Sequence, residues 1–400
     1  MSETDTDSNA FTQPPQTGGR QNGRAAIGAV LARRSPDRFV YAPNYWQWFS
    51  HHRDHGTLPI EISDCQTQLE LLQHLDVDVF SRNVYCDQER CWFGGLTECQ
   101  FEGVDFKQTE DSAGRDRVID RAYYTPTGVL TERQRYVHEH STLVQEKFVV
   151  VDYERELDAY EDLVRGRRWQ FLPERYERHQ QAVGNRGMVV AGELFGPLKM
   201  LHFDLGPENT TFLLSDHPDR AADLMAAHEK TQLDLVQQMA AYGVPAMMAM
   251  DNLDTMFHSP QYVEKYSAPF YEQASRICHE HGSTFFIHAC GQQRANLKLI
   301  ASLGVDGLEG VASPPLGDVE LDEAFAATGD RFVLTGGISA AETERLQSRQ
   351  AVRTYVKQLT NRLRPFAHRF VLASACNTAI TTRWEQLVWF RDAWREFGDL

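Results

Sequence analysis

From Arg186 onward the chain repeats one pattern: a short apolar run, a turn, then a segment with helical patterning. "GMVVAGEL" leads to a helix expected over Pro218–Tyr242, and "AMMAMDN" to one over 259–281. In the second, Ser259 suits the N-cap, Pro260 the first helical position and Gly282 the C-terminal stop. "TFFIHACG", "GLEG", "FVLTGG" and "FVLASAC" complete six strand–helix units. Such alternation predicts a parallel sheet. With earlier strands such as "VDVF" at 77–80 it predicts an α/β fold, a (β/α)8 TIM barrel. An open doubly wound sheet is the competitor, but no glycine-rich dinucleotide fingerprint follows an early strand.

The rhythm breaks over 86–153. There "AYYTPTGVLTERQRYV" sets β-branched and aromatic residues on either side of a Pro-Thr-Gly turn. This reads as a β-hairpin region inserted near one barrel mouth. Residues 1–25 are polar and are expected to form a disordered tail. The rest, 26–400, is expected to be a single barrel domain with an N-terminal extension.

Composition narrows the function classes. Lys and Arg total 40 against 56 acidic residues, a formal charge of -16, so neither a nucleic-acid footprint nor an anionic membrane surface is expected. The most apolar short run, 244–250, falls far below the roughly 18–20 residues of a membrane span. The N-terminus lacks the apolar core of a secretory signal, so the expected compartment is the cytoplasm. Seven cysteines, an odd number scattered along a long chain, read as reduced thiols.

Active sites of parallel α/β barrels lie at the C-terminal ends of the strands. His288 and Cys290 in "FFIHACGQQ" sit at such an end, and Cys376 closes "FVLASAC" at another. One imidazole and two thiols suit zinc and leave a coordination position for substrate. A His-X-Cys pair alone equally suits a strand end packed against the core. Cys278 falls within a helix and reads as core. Cys65, Cys86, Cys91 and Cys99 lack paired Cys-X-X-Cys knuckles. Acidic candidates at other strand ends are Glu309, then Asp251, then Glu193, as catalytic groups or a further metal ligand, with ion pairing or capping as the alternative. His202, in "MLHFDLG", is a weaker candidate for substrate contact. Gly336 and Gly337 could let backbone approach a ligand, though a tight turn explains them equally.

"DNLDTMFHSPQYVEKYSAPFYEQASRICHEHGSTFFIHACGQ", "IASLGVDGLEG", "SPPLGDVEL", "LTGGIS" and "ASACNTA" together resemble the uroporphyrinogen decarboxylase superfamily, most closely its cobalamin-associated methyltransferase branch. The resemblance covers 186–398 well and 37–151 loosely. It implies a barrel holding zinc through His288, Cys290 and Cys376. It also implies a corrinoid (cobalamin) as methyl carrier. An Asp-X-His-X-X-Gly cobalamin motif is absent, so a corrinoid would arrive on a separate protein. The decarboxylase branch carries an arginine-rich N-terminal motif, where this chain has "VYAPNYWQWFSHHRD". Tyr45, Trp46, Trp48, His51 and His52 suggest a pocket wall for an apolar or cationic methyl donor, or a helix packing its aromatics under the barrel.

The reading that results is a zinc-dependent methyltransferase moving a methyl group between a small methylated donor, a corrinoid protein and/or a thiol acceptor. A metal-independent decarboxylase and a non-catalytic zinc or corrinoid-partner binding protein are the alternatives. A homodimer is left open.

Overall fold

The computed structural model describes residues 21–82, 84 and 95–400. Parallel strands Val40–Tyr41, Ala191–Leu194, Ala246–Ala249, Thr284–His288, Gly307–Val311, Val333–Ile338 and Phe370–Ser374 form one sheet, with the first of these lying beside the last. A further barrel strand, Val79–Ser81, pairs in parallel with Gly187–Val189, which runs on through Val190 into Ala191–Leu194. The ladder stops short of a continuous ring. At the seam between the first two strands the Asp78 N–H donates to the Tyr41 carbonyl (2.9 Å), while the Asp78 carboxylate accepts the Tyr41 N–H (3.0 Å). The same carboxylate takes two hydrogen bonds from the Arg38 guanidinium, so a buried ion pair stands where strand pairing would continue.

The strands are apolar on both faces because a parallel barrel buries both. Met247, Phe285, Ile287, Leu308, Leu334 and Leu372 pack outward beneath the helices. Ala246, Met248, Phe286, Val333 and Val371 form a separate interior cluster. With a side-chain period of two, His288 continues the inward series of Phe286, and Glu309 faces inward because Leu308 faces out.

The helix Pro218–Tyr242 is present with the expected bounds, and the left-handed Gly243 ends it. The expected 259–281 helix is two: Pro260–Tyr266, capped by Ser259, and Ala268–Glu280. Pro269 has no N–H to donate to the preceding turn, so the chain breaks at Ser267. A kinked helix, Pro197–Asp216, lies between the third barrel strand and Pro218; its break falls at Gly206, where the backbone is left-handed before Pro207. It was not anticipated from the sequence.

The expected hairpin is present as Asp116–Tyr124 and Val129–Val137, inside a four-stranded antiparallel sheet with Asp105–Ala113 and Thr142–Lys147. The excursion outruns 153, since Thr97–Phe101 pairs antiparallel with Arg167–Phe171. Of the expected tail, residues 1–20 lie outside the described residues, and Gly23–Leu31 is already a helix capped by the Asn22 side chain. Cys86 and Cys91 also lie outside. No helix among the described residues is long and apolar enough to cross a membrane.

Candidate metal centre

The ligand atoms of His288, Cys290 and Cys376 lie within 4.8 Å of one another. His288 ends the fifth barrel strand, and its Nδ1 bonds the Glu309 carboxylate directly across the ladder. That leaves Nε2 facing Cys376 Sγ at 3.8 Å. Glu309 in turn accepts a hydrogen bond from Arg82 (3.1 Å), at the end of the second strand. Burial pushes the Glu309 carboxyl up, but His288 and Arg82 outweigh it and hold its pKa at about 2. For His288, burial lowers the pKa, and the Glu309 charge beside it more than restores it.

Asn252 holds the segment carrying the first thiol. It adopts the left-handed conformation that Asn tolerates (φ 54), donating its N–H to the His288 carbonyl (2.9 Å). Its side-chain oxygen accepts both the Cys290 N–H (3.0 Å) and the Cys290 thiol (2.8 Å). A hydrogen bond with Cys376 is the main cause that lowers the Cys290 pKa to about 5, with His288 adding to it against burial; the same contact pushes Cys376 up. Cys376 sits at φ 138, a conformation that costs an L-residue about 1–3 kcal/mol. Asn44 Nδ2 pins its carbonyl at 2.9 Å.

Two sulfurs and one imidazole nitrogen with its other nitrogen held by a carboxylate form a donor set that fits zinc. The three residues would hold the ion, with Glu309 orienting the ring from behind.

The family of fold follows from comparison as well as from geometry. The family model described as uroporphyrinogen decarboxylase (URO-D) matches residues 140–397. The chain belongs to the URO-D family. Among solved structures, a methyltransferase from Methanosarcina mazei superposes with a TM-score of 0.61 at 14% identity, covering 94% of this chain and 99% of that one. At that identity the likeness speaks for the fold alone. No curated protein matches the sequence.

Other expected site residues are placed elsewhere on this URO-D barrel. Asp251 is buried against Gly196, accepting its N–H at 2.8 and 3.1 Å and the Tyr271 hydroxyl, so it ties two loops together. Glu193 accepts the Gly95 N–H and so anchors this part of the inserted region. Gly336 and Gly337 lie inside the seventh strand: a Cβ on Gly336 would stand 2.5 Å from the Val311 carbonyl, and one on Gly337 would press on Phe370 and Leu321. Packing accounts for both glycines. Tyr45 is in the core, its hydroxyl 2.8 Å from that of Tyr41, and Trp48 is buried with it, which favours the packing alternative for this helix. Trp46 is buried as well. His51 and His52 instead face the inserted region and the loop after the last strand: His51 Nδ1 meets Ser141 Oγ, and His52 Nε2 meets the Ile380 carbonyl. His202 lies beside His258, the ring centroids 5.5 Å apart and the planes tilted by 53°.

Arg82 and Asn252 were missed. Both follow apolar runs, "VDVFS" and "AMMAMD", so the strand-end rule that selected Glu309 would have found them.

Proposed function

We propose that this chain is a zinc-dependent methyltransferase moving a methyl group between a small methylated donor, a corrinoid protein and/or a thiol acceptor. The observation that carries this reading is the convergence of His288 Nε2 with the Cys290 and Cys376 sulfurs at the mouth of the barrel. A zinc ion bound there supplies Lewis acidity, keeping a thiol as thiolate near neutral pH or polarising a methoxyl oxygen. The chain's own residues do the rest. Glu309 fixes the His288 tautomer so that Nε2 is the free donor, Arg82 keeps Glu309 ionised, and Asn252 and Asn44 hold the two cysteine backbones.

Family membership also favours a second reading, a metal-independent decarboxylase of a small acid. Against it, Arg82, a natural partner for a substrate carboxylate, is already engaged by Glu309. Metal analysis separates the two. Purified protein should carry about one zinc per chain, lost in Cys290→Ser and in Cys376→Ser. Full zinc in both variants would remove this site from consideration, and turnover undiminished after chelation would favour the decarboxylase.

A further inference from the structure

The four-stranded sheet of the inserted region runs Asp105–Ala113, Asp116–Tyr124, Val129–Val137, Thr142–Lys147, so Asp105–Ala113 is an edge strand paired only with Asp116–Tyr124. All nine of its residues are exposed, on both faces of the sheet. In an antiparallel ladder alternate residues direct their N–H and C=O away from the partner strand. Among the described residues, no backbone hydrogen bond from elsewhere in the chain reaches those outward groups. An edge of this length is a template for another strand.

Edges are commonly guarded by charge, and this one carries Asp105, Lys107, Glu110 and Asp111. The guard has one gap, against the strand's own copy. A two-fold axis perpendicular to the sheet sets two copies antiparallel, and because side chains alternate between faces the axis must pass through a residue. With the axis at Thr109, the midpoint of the strand, all nine residues find an opposite. Thr109 then meets its copy, Gln108 meets Glu110, and Lys107 meets Asp111 on both sides of the axis, so the only charges directly opposed are of unlike sign. An axis one or two residues away in either direction opposes like charges: Asp105 with Asp111 about Gln108, or Lys107, Glu110 or Asp111 each with its own copy. Elsewhere in the sheet Arg117 pairs with Glu110, Arg121 with Glu132, Arg133 with Asp120 and Arg135 with Glu146. Among the described residues Lys107 and Asp111 make no ion pair; the Lys107 ammonium rests 5.0 Å from the centre of the Tyr124 ring. The two charges that the Thr109 register would join are thus the ones the sheet leaves open.

We propose that the chain forms a homodimer by continuing this sheet through its own edge, two copies of Asp105–Ala113 pairing antiparallel about Thr109. The inference is independent of the methyltransferase reading.

Sedimentation velocity of the full chain over a concentration series at low salt tests it. Wild type should exchange between monomer and dimer and grow no further, because two-fold pairing uses up the edge. Lys107→Asp opposes two carboxylates on each side of the axis and should weaken the dimer about tenfold or more. Combining Lys107→Asp with Asp111→Lys restores unlike pairs in this register and should recover the dimer. Both positions are exposed, so far-UV circular dichroism should be unchanged in either variant. A monomer at every concentration overturns the proposal. So does a dimer whose affinity Lys107→Asp leaves unchanged, which would place the interface elsewhere, or one that the double exchange fails to recover, which would exclude the register. Growth into larger assemblies would point to pairing with the other edge, Thr142–Lys147, and would overturn it as well.

Discussion

At the residue scale the centre is a chain of dependencies running from Arg82 through Glu309 to His288. The carboxylate behind the ring, rather than the ring alone, decides which nitrogen is free to bind. Glu309→Gln keeps the size of the side chain but removes the charge, leaving Arg82 without its anion and His288 less basic. Zinc affinity, measured by competition with a chromogenic chelator, should fall about 10- to 100-fold. An unchanged affinity would make Glu309 a bystander. The strand-end rule found His288, Glu309 and both cysteines because apolar runs end where barrel strands end. It also selected Asp251 and Glu193, for which capping was the alternative: both carboxylates satisfy backbone N–H groups, and nothing in a local stretch tells that use from a catalytic one.

At the element scale Glu193 shows this second use. Its carboxylate joins the third barrel strand to residues 95–97 of the inserted region. Burial, opposed by hydrogen bonds from that segment, raises its pKa to about 7. A carboxyl whose folded pKa exceeds the unfolded one binds more protons when folded, so its contribution to stability is lost as pH rises from about 4.5 to about 7. Urea unfolding across that range should show wild type losing about 1–3 kcal/mol relative to Glu193→Gln. Parallel profiles for the two proteins would contradict the assignment. The elements themselves were readable where a cap or a stop is local, as with Ser259 and Gly282. The break at Ser267 was readable in principle from Pro269, but the helical patterning continues across it and hides it.

At the scale of the whole molecule, the barrel depends on a seam closed by side chains. Arg38 and Asp78 are both buried, and Asp78 also satisfies the Tyr41 N–H. Asp78→Ala would leave a buried guanidinium and a buried amide unpaired, at a cost of about 3–5 kcal/mol read from urea denaturation. A loss under about 0.5 kcal/mol, the size of an ordinary surface change, would show that the seam does not hold the barrel together. By itself the sequence determined the strand–helix alternation, the hairpin, the inward-facing ends and the ligand types. Periodicity and capping are local properties, and a few neighbouring residues suffice to express them. Only the tertiary structure decided that Cys376 reaches His288 and that Arg82 stands behind Glu309. Both depend on which distant segments curl to the same mouth, and no local stretch of sequence carries that information.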